Sequence, residues 1–244
     1  MTRYNPLIFC AIDTNDFDRA VDLAKTMTPL RIGIKLGLEF FNKFGPQGVR
    51  SLLEKAGDPA LFLDLKFHDI PNTLAGAVRS IVHLSPQYFN VHCAGGAEMM
   101  KAAREAAHEE TSKNSLPMPL ILGVTVLTSL DETDMAETGQ NGSTRDQADR
   151  LAALARESGL DGVVCSPADI KPLRNLCGIG FKLMVPGIRP EGSDKDDQKR
   201  TATPVEALKA GANHIVIGRP ITQAKIPAMA AQNILDEIQH SDEI

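Results

Sequence analysis

Short apolar runs alternate with longer amphipathic stretches along the whole chain. The runs fall at residues 7–12, 31–36, 61–65, 88–92, 120–126, 162–165, 182–185 and 214–217. Their length and apolar character predict eight strands. Between them, apolar residues at helical spacing predict helices over segments such as 16–27, 73–83, 97–110, 144–158, 168–176 and 204–210. A last helix is predicted over 221–238. A strand followed by a helix, repeated, builds a parallel sheet with helices outside it. Eight such units in 244 residues predict closure into a single-domain (β/α)8 TIM barrel of class α/β. An open doubly wound sheet is the main rival. It is weakened because no G-x-G-x-x-G follows the first run.

Two polar stretches interrupt this rhythm, 129–143 and 187–203. Long polar loops after barrel strands serve as lids or binding loops, or are simply solvated.

Composition narrows the class. The net charge of −5 comes without basic runs, which disfavours polymeric nucleic acid or an anionic membrane as partner. A small anionic ligand stays open, because local charge decides that. No apolar run approaches the roughly 20 residues of a membrane span, and residues 1–6 do not resemble a signal peptide. Cys10, Cys93, Cys165 and Cys177 form no C-x-x-C pair and read as reduced thiols. A cytoplasmic protein is expected.

Barrel chemistry sits at the C-terminal strand ends. Strand 1 ends at Asp13, strand 2 carries Lys35, and strand 3 ends in Asp64 and Lys66, followed by His68 and Asp69. Side chains alternate along a strand, so Leu61, Leu63 and Leu65 face the helices while Asp64 and Lys66 face inward. The same alternation turns Ile8, Cys10 and Ile12, and Ile32, Ile34 and Leu36, outward, leaving Asp13 and Lys35 at the mouth. Four charges in one small region are costly unless paired. They are either a salt-bridge network capping the barrel or a preorganised array in which carboxylates keep lysines protonated for use on a developing carbanion. His68 has no second His or Cys at ligand spacing, so no metal is expected.

Strands 7 and 8 run into Val185-Pro186-Gly187-Ile188-Arg189 and Ile217-Gly218-Arg219-Pro220. Loops after these strands are where barrels hold phosphate; glycine admits close backbone approach and arginine adds a charged fork.

The stretch DLKFHDIPNT at 64–73 resembles the signature of the orotidine 5'-monophosphate decarboxylase family. The likeness continues in order through AID near Asp13, GIKLG around Lys35, VTVLTS ending at Ser129, VPGIR, Gln198 and IGRPI. It implies a (β/α)8 barrel, a homodimer with shared active sites, no cofactor, and conversion of orotidine 5'-monophosphate to UMP. It further implies Lys66 as proton donor to pyrimidine C6, with Asp64 beside the substrate carboxylate. Lys35, Asp64, Lys66 and Asp69 would form the charged array, and Asp69 and Thr73 would reach into the partner's site. Asp13 and Lys35 would hold ribose hydroxyls. Ser129, with Thr128 as its neighbour, would meet the base, and Pro186 would line the pyrimidine pocket. Arg189, Gln198, Gly218 and Arg219 would bind phosphate. Two rivals remain: a Mg2+-dependent sugar-phosphate synthase or decarboxylase of the same superfamily, and a catalytically dead barrel that only binds.

Overall fold

The computed structural model describes residues 4–190 and 201–241. Eight parallel strands pair in sequence order and the last closes on the first, forming the expected barrel. Strand β1 (Ile8–Ala11) leads to helix α1 (Phe17–Met27), and β2 (Gly33–Gly37) to α2 (Leu38–Ala56). Then come β3 (Leu61–Phe67), α3 (Pro71–Val82), β4 (Tyr88–His92) and α4 (Ala97–Asn114). Strand β5 (Leu120–Val124) is followed by α5 (Glu132–Glu137) and α6 (Thr144–Glu157), and β6 (Gly162–Val164) by α7 (Ile170–Cys177). Strand β7 (Lys182–Val185) precedes α8 (Pro204–Lys209), and β8 (His214–Ile217) precedes α9 (Arg219–Thr222) and α10 (Pro227–Gln239).

Strand alternation sorts the core into two layers, as the sequence predicts. Ile8, Cys10, Ile12, Ile34, Leu36, Leu61, Leu63 and Leu65 pack outward with the helices. Phe9, Phe62, Tyr88, Leu122, Met184 and Val216 fill the barrel interior. No described helix is long and apolar enough to cross a membrane.

Two predicted elements are corrected. The single last helix over 221–238 is two helices, because Pro227 lacks an N–H and forces Ile226 into an extended conformation (φ −132°, ψ 90°). The polar stretch 129–143 is not wholly loop: Asp131 caps α5, accepting from Thr133 and Asp134 while Asp134 bonds back to its backbone. Helix α2, which the periodicity did not single out, is kinked where Gly45 adopts φ 60° ahead of Pro46.

Candidate active site

A cavity of about 520 Å3 opens at the C-terminal strand ends. It is lined by Asp13, Lys35, Asp64 and Lys66 on one side, and by Pro186, Gly187, Arg189, Gly218 and Arg219 on the other. The two groups predicted separately from sequence therefore share one space.

The charged side chains form a chain of contacts. Lys35 Nζ lies 3.3 Å from Asp13 Oδ1 and 3.1 Å from Asp64 Oδ2. Lys66 Nζ lies 2.6 Å from Asp64 Oδ1. Lys35 and Asp64 are buried, whereas the Asp13 side chain is half exposed. Burial alone would raise the Asp64 pKa, but the Lys35 and Lys66 charges, helped by hydrogen bonds from Lys66 and Asn90, outweigh it and hold it at about 2. Burial alone would lower the Lys35 pKa; Asp64 and Asp13 reverse that and push it up. Asp64 and Lys35 are thus held as carboxylate and ammonium.

Lys66 does not reach the cavity by simple alternation. Its backbone lies in the left-handed region (φ 46°), which costs a residue with a Cβ roughly 1–2 kcal/mol. The β3–β4 register is also broken there: Leu63 pairs with Phe89, and the next pair is Phe67 with Val91. The buried Asn90 occupies that gap, accepting from the Lys66 N–H at 2.7 Å and donating to Asp64 at 2.7 Å. Sequence reasoning passed over Asn90. Its signal was a polar residue at an inward position of an otherwise apolar strand, the same signal that marked Asp64.

Gly37 was also missed as a distinct element. It sits across from Asp64 in the β2–β3 register. A Cβ there would lie 3.0 Å from Asp13 Oδ1 and 3.3 Å from Lys35 Nζ, so only glycine leaves that pair undisturbed. Thr222 and Gln223, beyond β8, also line the cavity and had no sequence signal.

Other expected residues are placed less centrally. Thr128 lines the cavity, while Ser129, favoured from sequence for the base contact, is exposed and not among the lining residues. Asp69 and Thr73 are exposed and do not line this chain's cavity; Asp69 Oδ1 accepts from the N–H of Ile70, itself 67% exposed. Gln198 lies outside the described residues. His68 packs its ring against His92, centroids 5.4 Å apart. Among the described residues no three His, Cys, Asp or Glu side chains are grouped to hold a metal ion. On the side expected to hold phosphate, Gly187 takes φ 78°, and the Arg189 backbone N–H bonds Ala202 O at 3.0 Å.

Comparison with known proteins agrees with this fold. The model of the orotidine 5'-phosphate decarboxylase / HUMPS family matches residues 6–234. Orotidine 5'-phosphate decarboxylase of Rhodospirillum rubrum is 52% identical over 234 residues, covering 96% of this chain and 94% of the relative. That of Moorella thermoacetica is 48% identical over 233 residues, covering 95% and 92%. The crystal structure of orotidine 5'-phosphate decarboxylase from Lactobacillus acidophilus superposes with a TM-score of 0.82 at 34% identity, covering 96% of this chain and 99% of that one. With a charged strand-end array in a closed barrel and similarity over nearly its full length, this chain belongs to the orotidine 5'-phosphate decarboxylase / HUMPS family.

Proposed function

We propose that this chain decarboxylates orotidine 5'-monophosphate to UMP and CO2, the closing step of pyrimidine nucleotide synthesis. The observation that carries the reading is the Lys35–Asp64–Lys66 array, joined at 3.1 and 2.6 Å, facing the Gly-Arg elements of β7 and β8 across one cavity. The names of the relatives point to the same substrate.

In this reading the bond from C6 to the substrate carboxylate breaks, CO2 leaves, and the electron pair stays on C6. Lys66 Nζ stabilises that charge and transfers its proton to C6; solvent then restores the ammonium, so one proton is consumed per turnover. A charge pair at about 4 Å and an effective dielectric near 20 contributes on the order of 4 kcal/mol. The array is ordered before reaction, so little reorganisation is needed. Asp64 stands beside the departing carboxylate, and Asp13 and Lys35 hold ribose hydroxyls. Thr128 or Ser129 meets the base edge, and Pro186 covers the ring. Arg189, Gly218, Arg219 and Gln198 take the phosphate, whose binding energy is spent on closing and drying the site.

The lysines supply the positive charge that the carbanion requires, which supports a reaction without metal or organic cofactor. The exposure of Asp69, Ile70 and Thr73 around the rim supports a homodimer in which each subunit completes its partner's site. The four free cysteines fit a cytoplasmic setting.

Turnover is followed by the loss of orotate absorbance. The wild-type chain is expected to be active and insensitive to EDTA, and Lys66→Ala to lose at least about 1,000-fold. Near-normal turnover by Lys66→Ala would overturn the assigned role. Activity that EDTA abolishes and Mg2+ restores, on a sugar phosphate instead, would favour the superfamily rival.

A further inference from the structure

We propose that Asn90 is a positioning residue that holds Lys66 for proton transfer by clamping both ends of it. The inference rests on the decarboxylase reading above. Between the register pairs Leu63–Phe89 and Phe67–Val91, β3 carries Asp64, Leu65 and Lys66 while β4 carries only Asn90. Asn90 still pairs regularly on its other side, with Leu122 of β5. The bulge therefore lies wholly in β3, and a side chain replaces the missing ladder partner.

The hydrogen bonds form a closed ring. The Lys66 N–H donates to Asn90 Oδ1 at 2.7 Å, Asn90 Nδ2 donates to Asp64 Oδ1 at 2.7 Å, and Lys66 Nζ donates to that same oxygen at 2.6 Å. The amide orientation follows from its partners: a backbone N–H only donates and a carboxylate only accepts. Asn90 is fully buried and is not among the cavity-lining residues, so it acts through Lys66 and Asp64. A leucine or valine would fill the interior of a barrel built only for packing, as Leu122 does next door. Here the amide fixes a left-handed backbone at Lys66 and, through the carboxylate, the position of its ammonium. A reacting group misplaced by about 1 Å can lose two orders of magnitude in rate.

The test compares kcat and KM for orotidine 5'-monophosphate in wild type, Asn90→Ala, Lys66→Ala and the double variant, with Asn90→Asp across pH. Asn90→Ala is expected to lower kcat about 100-fold with KM within about threefold, and to cost less than about twofold in the Lys66→Ala background. Asn90→Asp keeps the acceptor for the Lys66 N–H but donates to Asp64 only when protonated. The charged groups in the surrounding array are Asp64 and Lys66 on β3, Lys35 on β2 and Asp13 after β1; His92 on β4 is a titratable neighbour that burial and the nearby His68 and Lys66 hold toward its neutral form. Two carboxyls sharing one proton titrate as a pair, so this variant is expected to lose activity as pH rises through a limb that wild type lacks. The Asp variant also keeps the test open should Asn90→Ala fail to fold. Equal losses in both Lys66 backgrounds, a KM effect with unchanged kcat, or a wild-type-shaped profile for Asn90→Asp would each refute the positioning role. Absence of turnover in the wild type sinks the decarboxylase reading itself, a separate result.

Discussion

The Tyr88 hydroxyl lies 2.8 Å from Nε2 of His214, inside the barrel and shut off from solvent. Nδ1 of the same ring lies 2.8 Å from the Pro6 carbonyl, which only accepts, so Nδ1 carries the proton and Nε2 accepts from tyrosine. The pair pins the N-terminal segment under the barrel. Burial drives the His214 pKa down from 6.5 to about 4.

That depression gives a stability profile with a definite sign. The unfolded chain takes up a proton on His214 below about pH 6.5 and the folded chain only below about 4, so stability falls as pH drops through that window. The loss between pH 7 and 5 amounts to about 2 kcal/mol from this residue. Urea denaturation at the two pH values is expected to show it in wild type. An equal loss in His214→Leu would assign the effect elsewhere.

Asp64→Asn is expected to damage folding and turnover together. It removes the anion shared by Lys35 and Lys66 and leaves buried Lys35 with half-exposed Asp13 alone. Breaking a buried pair from one side costs about 3 kcal/mol, and losing a preorganised charge costs about 100-fold or more in kcat. Thermal unfolding and steady-state assays measure the two effects; unchanged stability would show that the network is not strained by its loss.

Gly37→Ala tests the clearance around the Asp13–Lys35 pair. The backbone conformation there (φ −100°, ψ −166°) suits any residue, so the only penalty is the new methyl against Asp13 Oδ1 and Lys35 Nζ. A rise in KM of about tenfold with a smaller fall in kcat is expected if those groups hold the ribose. A variant with wild-type KM argues that they do not.

The proposed homodimer, in which each subunit completes its partner's site, makes a complementation prediction. Mixed dimers of Lys66→Ala and Asp69→Ala subunits carry one site with both defects and one with neither. Random reassortment is then expected to recover about a quarter of wild-type activity from two inactive parents. No gain on mixing would place Asp69 in its own subunit's site or in none.

Much of the site was legible because it lies at strand ends. Asp13, Lys35, Asp64 and Lys66 stand out as charges breaking apolar runs, and Gly187, Arg189, Gly218 and Arg219 fall where barrels hold phosphate. Asn90 and Gly37 were not, for a common reason. Each matters through what faces it from another strand: Asn90 through a bulge in β3, Gly37 through the crowding of two side chains. The break in the last helix and the cap of α5 were not read from the sequence either, although Pro227, Asp131 and Asp134 carry local signals for them.

The amino-acid sequence by itself determined the order of strands and helices, which face of each strand turns inward, and which charges meet at the mouth. These follow from side-chain period and residue type, properties a strand carries wherever it is placed. Only the tertiary structure decided how Lys66 arrives. Its left-handed backbone, the register slip and the amide that compensates for it exist only once β3 lies against β4, because a hydrogen bond across 24 residues of chain has no local signature.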